Sequence, residues 1–173
     1  MDPQRVKRVG DVEIFDGVAL TVVGDVILTL WHAPARLARM RWLGGHLDRL
    51  VLQQPGGVVV VQLILPSSSP PDRETRAEAE AIIRRHPKAL RRLVSVPLGD
   101  TIWTQLVRSI MRGMMVILGR ASLHVVVGTP RETVERVREV ATGATPSATE
   151  ISAAIGRLYA AMGVDEKVAG AVA

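Results

Sequence analysis

Three consecutive serines, Ser67-Ser68-Ser69, follow an apolar run and precede Pro70-Pro71 and a charged segment. A phosphate placed there would sit beside a helix N-terminus, where unpaired N–H groups and the helix dipole favour negative charge. Ser67 and Ser68 are therefore the candidate phosphorylation sites. Ser69 reads as an N-cap, with proline at the first helical position and Asp72 in the first turn. The plainer reading of the same residues is one capping serine and two solvated loop serines. No Gly-x-Ser-x-Gly elbow surrounds them, so they are not read as hydrolase nucleophiles.

Other chemistry-bearing residues form no recognisable constellation. His32, His46, His86 and His124 show no i, i+4 pair and no acid–His motif, so no metal site is expected. With no cysteine, thiolate chemistry, disulfides and sulfur ligands are excluded. No glycine-rich phosphate loop follows a strand, and no catalytic residue or cofactor is assigned. Arg84, Arg85, Lys88, Arg91 and Arg92 are the one dense basic run, in a chain of net charge +5. No aromatic residue interleaves it to stack bases, and the run spans the helix-breaking His86-Pro87. It reads as a solvated helix end, and no specific nucleic-acid partner is expected.

The segment Thr101 to Leu118 departs from this pattern. Trp103, Leu106, Val107, Ile110, Met111, Met114 and Met115 spread over more than the single stripe a surface helix buries. Something must cover the second face: the C-terminal helix 147–162, a second copy or protein partner, or an apolar ligand. Methionine suits any of these, because its flexible thioether adapts to irregular surfaces. A pocket beneath this helix would favour a ligand, and a flat exposed patch would favour a partner.

The elements that must position these residues follow from periodicity. Val58 to Leu65 is a nearly unbroken apolar run, the pattern of a strand buried on both faces and hence of an α/β layer fold. The loop after it lies at the carboxyl end of a central strand, where open α/β sheets place working groups. Residues 18–23 and 26–31 form a hairpin through Gly24-Asp25, of type II′ or I′. Asp11 to Phe15 is an earlier strand, and Val94-Ser95-Val96 and 123–127 are later ones. Helices are expected from Pro34 to about Val51, from Ser69 to about Arg85 and from Thr101 to Leu118. Two capping boxes, Thr129 with Glu132 and Ser147 with Glu150, open helices to about Ala141 and Met162. Arg36, Arg39, Arg41 and Arg49 fall off the apolar stripe of the first helix. No internal repeat is evident.

This order of elements, with the buried strand 58–65 and the serine loop after it, resembles the STAS domain typified by bacterial anti-sigma-factor antagonists. The resemblance spans roughly Val12 to Ala141. It implies a mixed sheet of about five strands with packed helices, here with an appended C-terminal helix. In that family a serine at the start of the helix after this strand is phosphorylated by a partner kinase, within an Asp-Ser-Ser-Gly-like stretch. Pro66 stands here in place of the acid, and no glycine follows.

The expected organisation is a STAS-like domain over 1–141, a linker over 142–146, and a terminal helix and tail over 147–173. The expected role is a non-enzymatic protein-interaction module in bacterial signalling, self-associating through helix 101–118. The alternatives are a small-molecule or lipid-binding domain using an apolar pocket beside that helix and, more remotely, an enzyme of unknown reaction. No apolar run reaches the ~20 residues of a membrane span, and the N-terminus has no export core, so a cytoplasmic location is expected.

Overall fold

The computed structural model describes residues 6–68, 71–99, 101–117 and 121–165. Seven strands form one sheet in strict sequence order: β1 (Val6–Val9), β2 (Val12–Phe15), β3 (Val18–Val23), β4 (Val26–Trp31), β5 (Val58–Ile64), β6 (Leu90–Pro97) and β7 (His124–Val126). β1 to β4 are an antiparallel meander, and β4 to β7 are parallel. The class is α/β, with a mixed sheet two strands wider than expected. The meander turns through three two-residue loops. Gly24 has φ 55° while Asp25 stays at negative φ, as in a type II′ turn; Asp16 and Gly17 are both at positive φ, as in type I′. The first loop, Gly10-Asp11, sits in the tetrapeptide Val9-Gly10-Asp11-Val12, which recurs as Val23-Gly24-Asp25-Val26. That recurrence was the available signal for β1.

Between the parallel strands run α1 (Leu37–Gln53), α2 (Arg73–Arg85) and α3 (Thr101–Ile117). Each crossover steps to the next strand in the same direction. Right-handed connections to successive neighbours must all lie on one face of the sheet, and the side chains of all three helices pack there, with Trp31, Val58, Val60 and Leu93. The other face is covered by α4 (Pro130–Arg138) and α5 (Ala148–Met162), packed on Leu28, Val59, Val61, Leu63 and Val94. β5 is thus buried on both sides as its composition requires, and each such side chain contributes roughly 1.5–3 kcal/mol.

Several local expectations are corrected. α1 begins at Leu37, after an extended Pro34–Arg36; the Pro34 carbonyl accepts from Arg39, which is buried despite lying off the predicted stripe. Its guanidinium also meets the Asp16 carbonyl (2.6 Å) and carboxylate (2.8 Å), tying the β2–β3 turn to α1. The cap of α2 is Asp72, which accepts from the Thr75 N–H at 2.8 Å; Ser69 and Pro70 lie outside the described residues. Proline forces the residue before it out of the helical region, so the double proline delays the helix until Asp72 can cap it. β6 runs from Leu90, which places Arg91 and Arg92 on a strand and not on a helix end.

One buried charge joins the two halves of the molecule. Asp25, in the β3–β4 turn, pairs with Arg91 at the start of β6 and accepts from the hydroxyls of Thr142 and Thr145, each at 2.8 Å. Arg91 also donates to the Val140 carbonyl. The segment between α4 and α5 is thereby docked on the sheet edge, and Gly24 lies so close to the Ala144 carbonyl that any Cβ would collide with it. Asp11, in the twin turn, receives Arg157 of α5 (3.0 Å) and Thr21 (2.9 Å). These bonds outweigh the opposing effect of its own burial and hold its carboxyl below the usual range.

Removing one partner of a buried ion pair strands the other charge. Asp25→Ala should cost about 3–5 kcal/mol in urea unfolding, and Asp11→Ala, which breaks an exposed pair, about 1 kcal/mol or less. The double change Asp25→Leu with Arg91→Met should cost less than Asp25→Ala alone. Equal losses for Asp25→Ala and Asp11→Ala would show that the buried cluster does not anchor the second layer.

Candidate functional site

The sheet face beneath α1, α2 and α3 is not filled. A cavity of about 120 Å³ lies between the helices and the floor of β5 and β6. It begins near Leu47 and Leu90 and runs beneath Ala79, Ile82 and Ile83 of α2. It ends beside Trp31, Ile64, Ser68 and Pro71 at the carboxyl ends of β4 and β5, with Met40 and Leu43 of α1 on one side. Val107, Ile110 and Met111 of α3 form the opposite side. An apolar engineered cavity of comparable size, about 150 Å³, stays dry and accepts benzene. The space exists because α1 and α2 pack closely, Ile82 resting against the bare Cα of Gly44, while α3 makes its main contacts with β6, β7 and the short turn 121–123.

α3 answers the question its composition posed. α5 lies across the opposite face of the sheet, so the chain's own last helix does not cover α3. Val107 and Met111 are buried and Ile110 is half-buried, all three against the cavity. Leu106 points outward and is 45% exposed, one turn from Ile102 at 81%, and Val116 near the far end of the helix is 61% exposed. The side chains of Trp103, Met114 and Met115 lie outside the described residues.

The serine loop divides. Ser67 is exposed and donates to the His32 carbonyl at 2.8 Å. Ser68, expected in solvent, is only 4% exposed and lines the cavity. Its place in the turn after β5, fixed by its N–H on the Leu65 carbonyl (2.9 Å), turns the side chain inward. A modifying enzyme reaches Ser67 in this conformation and does not reach Ser68.

A row of polar side chains crosses this face of the sheet, and its middle member, Gln62, lies on the cavity floor. Thr29, Gln62 and Ser95 are register partners on β4, β5 and β6. The Thr29 hydroxyl donates to the Val61 carbonyl and accepts from the Trp31 indole, both at 3.0 Å. Ser95 is fully buried and bonded to His124 Nε2 at 3.1 Å. Burial, and next the Arg112 guanidinium, push the His124 imidazole down to about 4. Gln62 lines the cavity between these two satisfied groups.

The other sequence candidates are absorbed by structure. His46 stacks edge-on against Trp42, 3.3 Å from Glu13; burial and Arg49 lower its pKa against the pull of Glu13. His86 bonds Asp48 at 2.5 Å across α1 and α2. Four of the five cations of the basic run are met by acids, Arg84 by Glu80 and Arg85 by Glu78 within α2, and Arg85 by Asp48, Arg91 by Asp25 and Arg92 by Glu139 from other elements. Among the described residues no three His, Asp or Glu side chains are grouped to hold a metal ion, and no helix is long and apolar enough to cross a membrane. No family model matches the chain, and no curated protein matches it significantly.

The depressed histidine sets a pH dependence. Between about 4 and 6.5 the unfolded chain binds more protons than the folded one, so stability rises with pH across that window. The contribution of His124 is present above about 6.5 and is lost as pH falls toward about 4; His46 acts in the same direction. The unfolding free energy from urea titrations should fall between pH 7.5 and 5.0 by on the order of 1–2 kcal/mol more in the wild type than in His124→Gln. An identical decline in both would place the acid sensitivity elsewhere.

Proposed function

We propose that this chain is a non-enzymatic, STAS-like α/β module that binds a small apolar molecule beneath α3. The observation that carries this reading is the cavity itself. It lies between α3 and the sheet, its walls are mainly Leu, Ile, Val, Met and Trp, and a site of this kind is the usual form of a small-molecule pocket. Kinship with STAS domains is supported by the sequential parallel strands, the three crossover helices on one face and the serine loop after β5.

A second reading, self-association through α3, is favoured by a separate observation: Ile102, Leu106 and Val116 present apolar side chains outward, with no described element over them. The two readings use opposite sides of one helix, so they can be tested apart.

Filling the cavity tests the first. Ala79→Phe, from α2 into the void, should abolish saturable binding of benzene, read by NMR chemical-shift perturbation, and should raise stability by about 0.5–2 kcal/mol, as cavity-filling changes do. Destabilisation by 1–3 kcal/mol, the signature of overpacking, would mean there is no room to bind anything.

Charging the outer side tests the second. Met111 faces the cavity, so an acid there would disrupt the core; Ile102→Glu with Leu106→Glu spares it. The wild type should sediment as a dimer at tens of micromolar, about the range of a weak interface, and the double variant as a folded monomer. A monomeric wild type would remove the self-association reading.

A further inference from the structure

The apolar cavity holds two polar groups that the protein leaves unanswered. Gln62 lies in the middle of the floor, half-buried, and no described residue pairs with its amide. Ser68 is 4% exposed, lines the far end, and no described residue pairs with its hydroxyl. Their neighbours in the same layer are satisfied: Thr29 by Val61 and Trp31, Ser95 by His124. A polar group left without a partner in an apolar site is disfavoured, and Leu or Val at position 62 would continue the packing of Val60 and Ile64. A second constraint comes from what is missing. Among the described residues, no Arg, Lys, His, Asp or Glu lines the cavity, so an ionised group entering it would be buried without a counter-charge.

We infer that the ligand is an uncharged amphiphile: a compact apolar body of about six or seven heavy atoms carrying one neutral hydrogen-bonding head, such as a hydroxyl or amide. The body occupies the space among Leu43, Ile82, Val107 and Met111, and the head bonds the Gln62 amide and the Ser68 hydroxyl. An amide offers both donors and an acceptor, and a hydroxyl one of each kind, so the pair accepts an alcohol or an amide equally and discriminates against charge. This assignment rests on the binding function proposed above and adds to it the polarity of the ligand.

The test uses the intact chain at pH 7.5 with four probes followed by NMR: benzene, 1-hexanol, hexanoate and hexylammonium. Benzene and 1-hexanol should bind saturably, 1-hexanol with Kd near or below about 1 mM, in keeping with the efficiency of small ligands; the two ions should bind at least about tenfold more weakly. The double variant Gln62→Leu/Ser68→Ala should weaken 1-hexanol about five- to tenfold while benzene affinity changes less than about twofold, which also shows that the cavity is intact. The wild-type preference for 1-hexanol over the ions decides the matter even if the variant misfolds. If hexanoate or hexylammonium binds as tightly as 1-hexanol, or the intact variant binds 1-hexanol unchanged, the neutral-head assignment is overturned and the binding function stands. If neither benzene nor 1-hexanol binds, the binding function falls and the assignment with it.

Discussion

The arrangement of this protein depends on one topological constraint: parallel strands laid down in sequence order, each joined by a crossover of the same hand. Such connections can only accumulate helices on one face, so α1, α2 and α3 share a layer and leave the other side of β3 to β6 bare. The chain answers with α4 and α5, which return beneath the sheet. That return is secured at the hairpin turns. The aspartates of two identical Gly-Asp loops reach down to it, Asp25 through Arg91, Thr142 and Thr145, and Asp11 through Arg157.

The same constraint explains where a vacancy is found. Three helices side by side over four short parallel strands do not pack equally. α1 and α2 meet closely because Gly44 offers no side chain to Ile82, and α3 is left to lean on β6 and β7. The gap lies over β5 and β6, flanked by long flexible side chains on α1 and α3. Its floor meets, at Gln62, a row in which the strands interrupt their Val and Leu with Thr29, Gln62 and Ser95. Two members of that row are locked by neighbours, and the member facing the void is not. The polarity of the cavity is therefore set by a single register of the sheet.

Short-range physics was readable in the residues. The unbroken β-branched run of β5 announced burial on both faces, and Val59 and Val61 do face one helical layer while Val58 and Val60 face the other. The Thr129 cap and the Ser147 capping box start α4 and α5 because a cap is satisfied within four residues, although Glu132 accepts from the Gly128 N–H and so leaves the box at Thr129 half made. Asp72 could have been preferred to Ser69 on the same grounds, since proline disfavours a helical conformation in the residue before it. Long-range partnerships were not readable. Arg39 looks like a surface residue until the β2–β3 turn presents its carbonyl, and Arg91 looks like part of a basic patch until β6 carries it beside Asp25. A charge has no burial preference of its own; its partner decides.

What the sequence by itself determined is therefore the layer class, the central strand, the helix caps and the unusual apolarity of residues 101–117, all governed by spacing along a few turns of chain. What only the tertiary structure decided is which side of the sheet each helix occupies. That choice removes α5 as the cover of α3, turns Ser68 inward and aligns Gln62 between Thr29 and Ser95. The physical reason is that these depend on crossover hand and strand register, which arise between segments tens of residues apart and leave no periodic trace in any one of them.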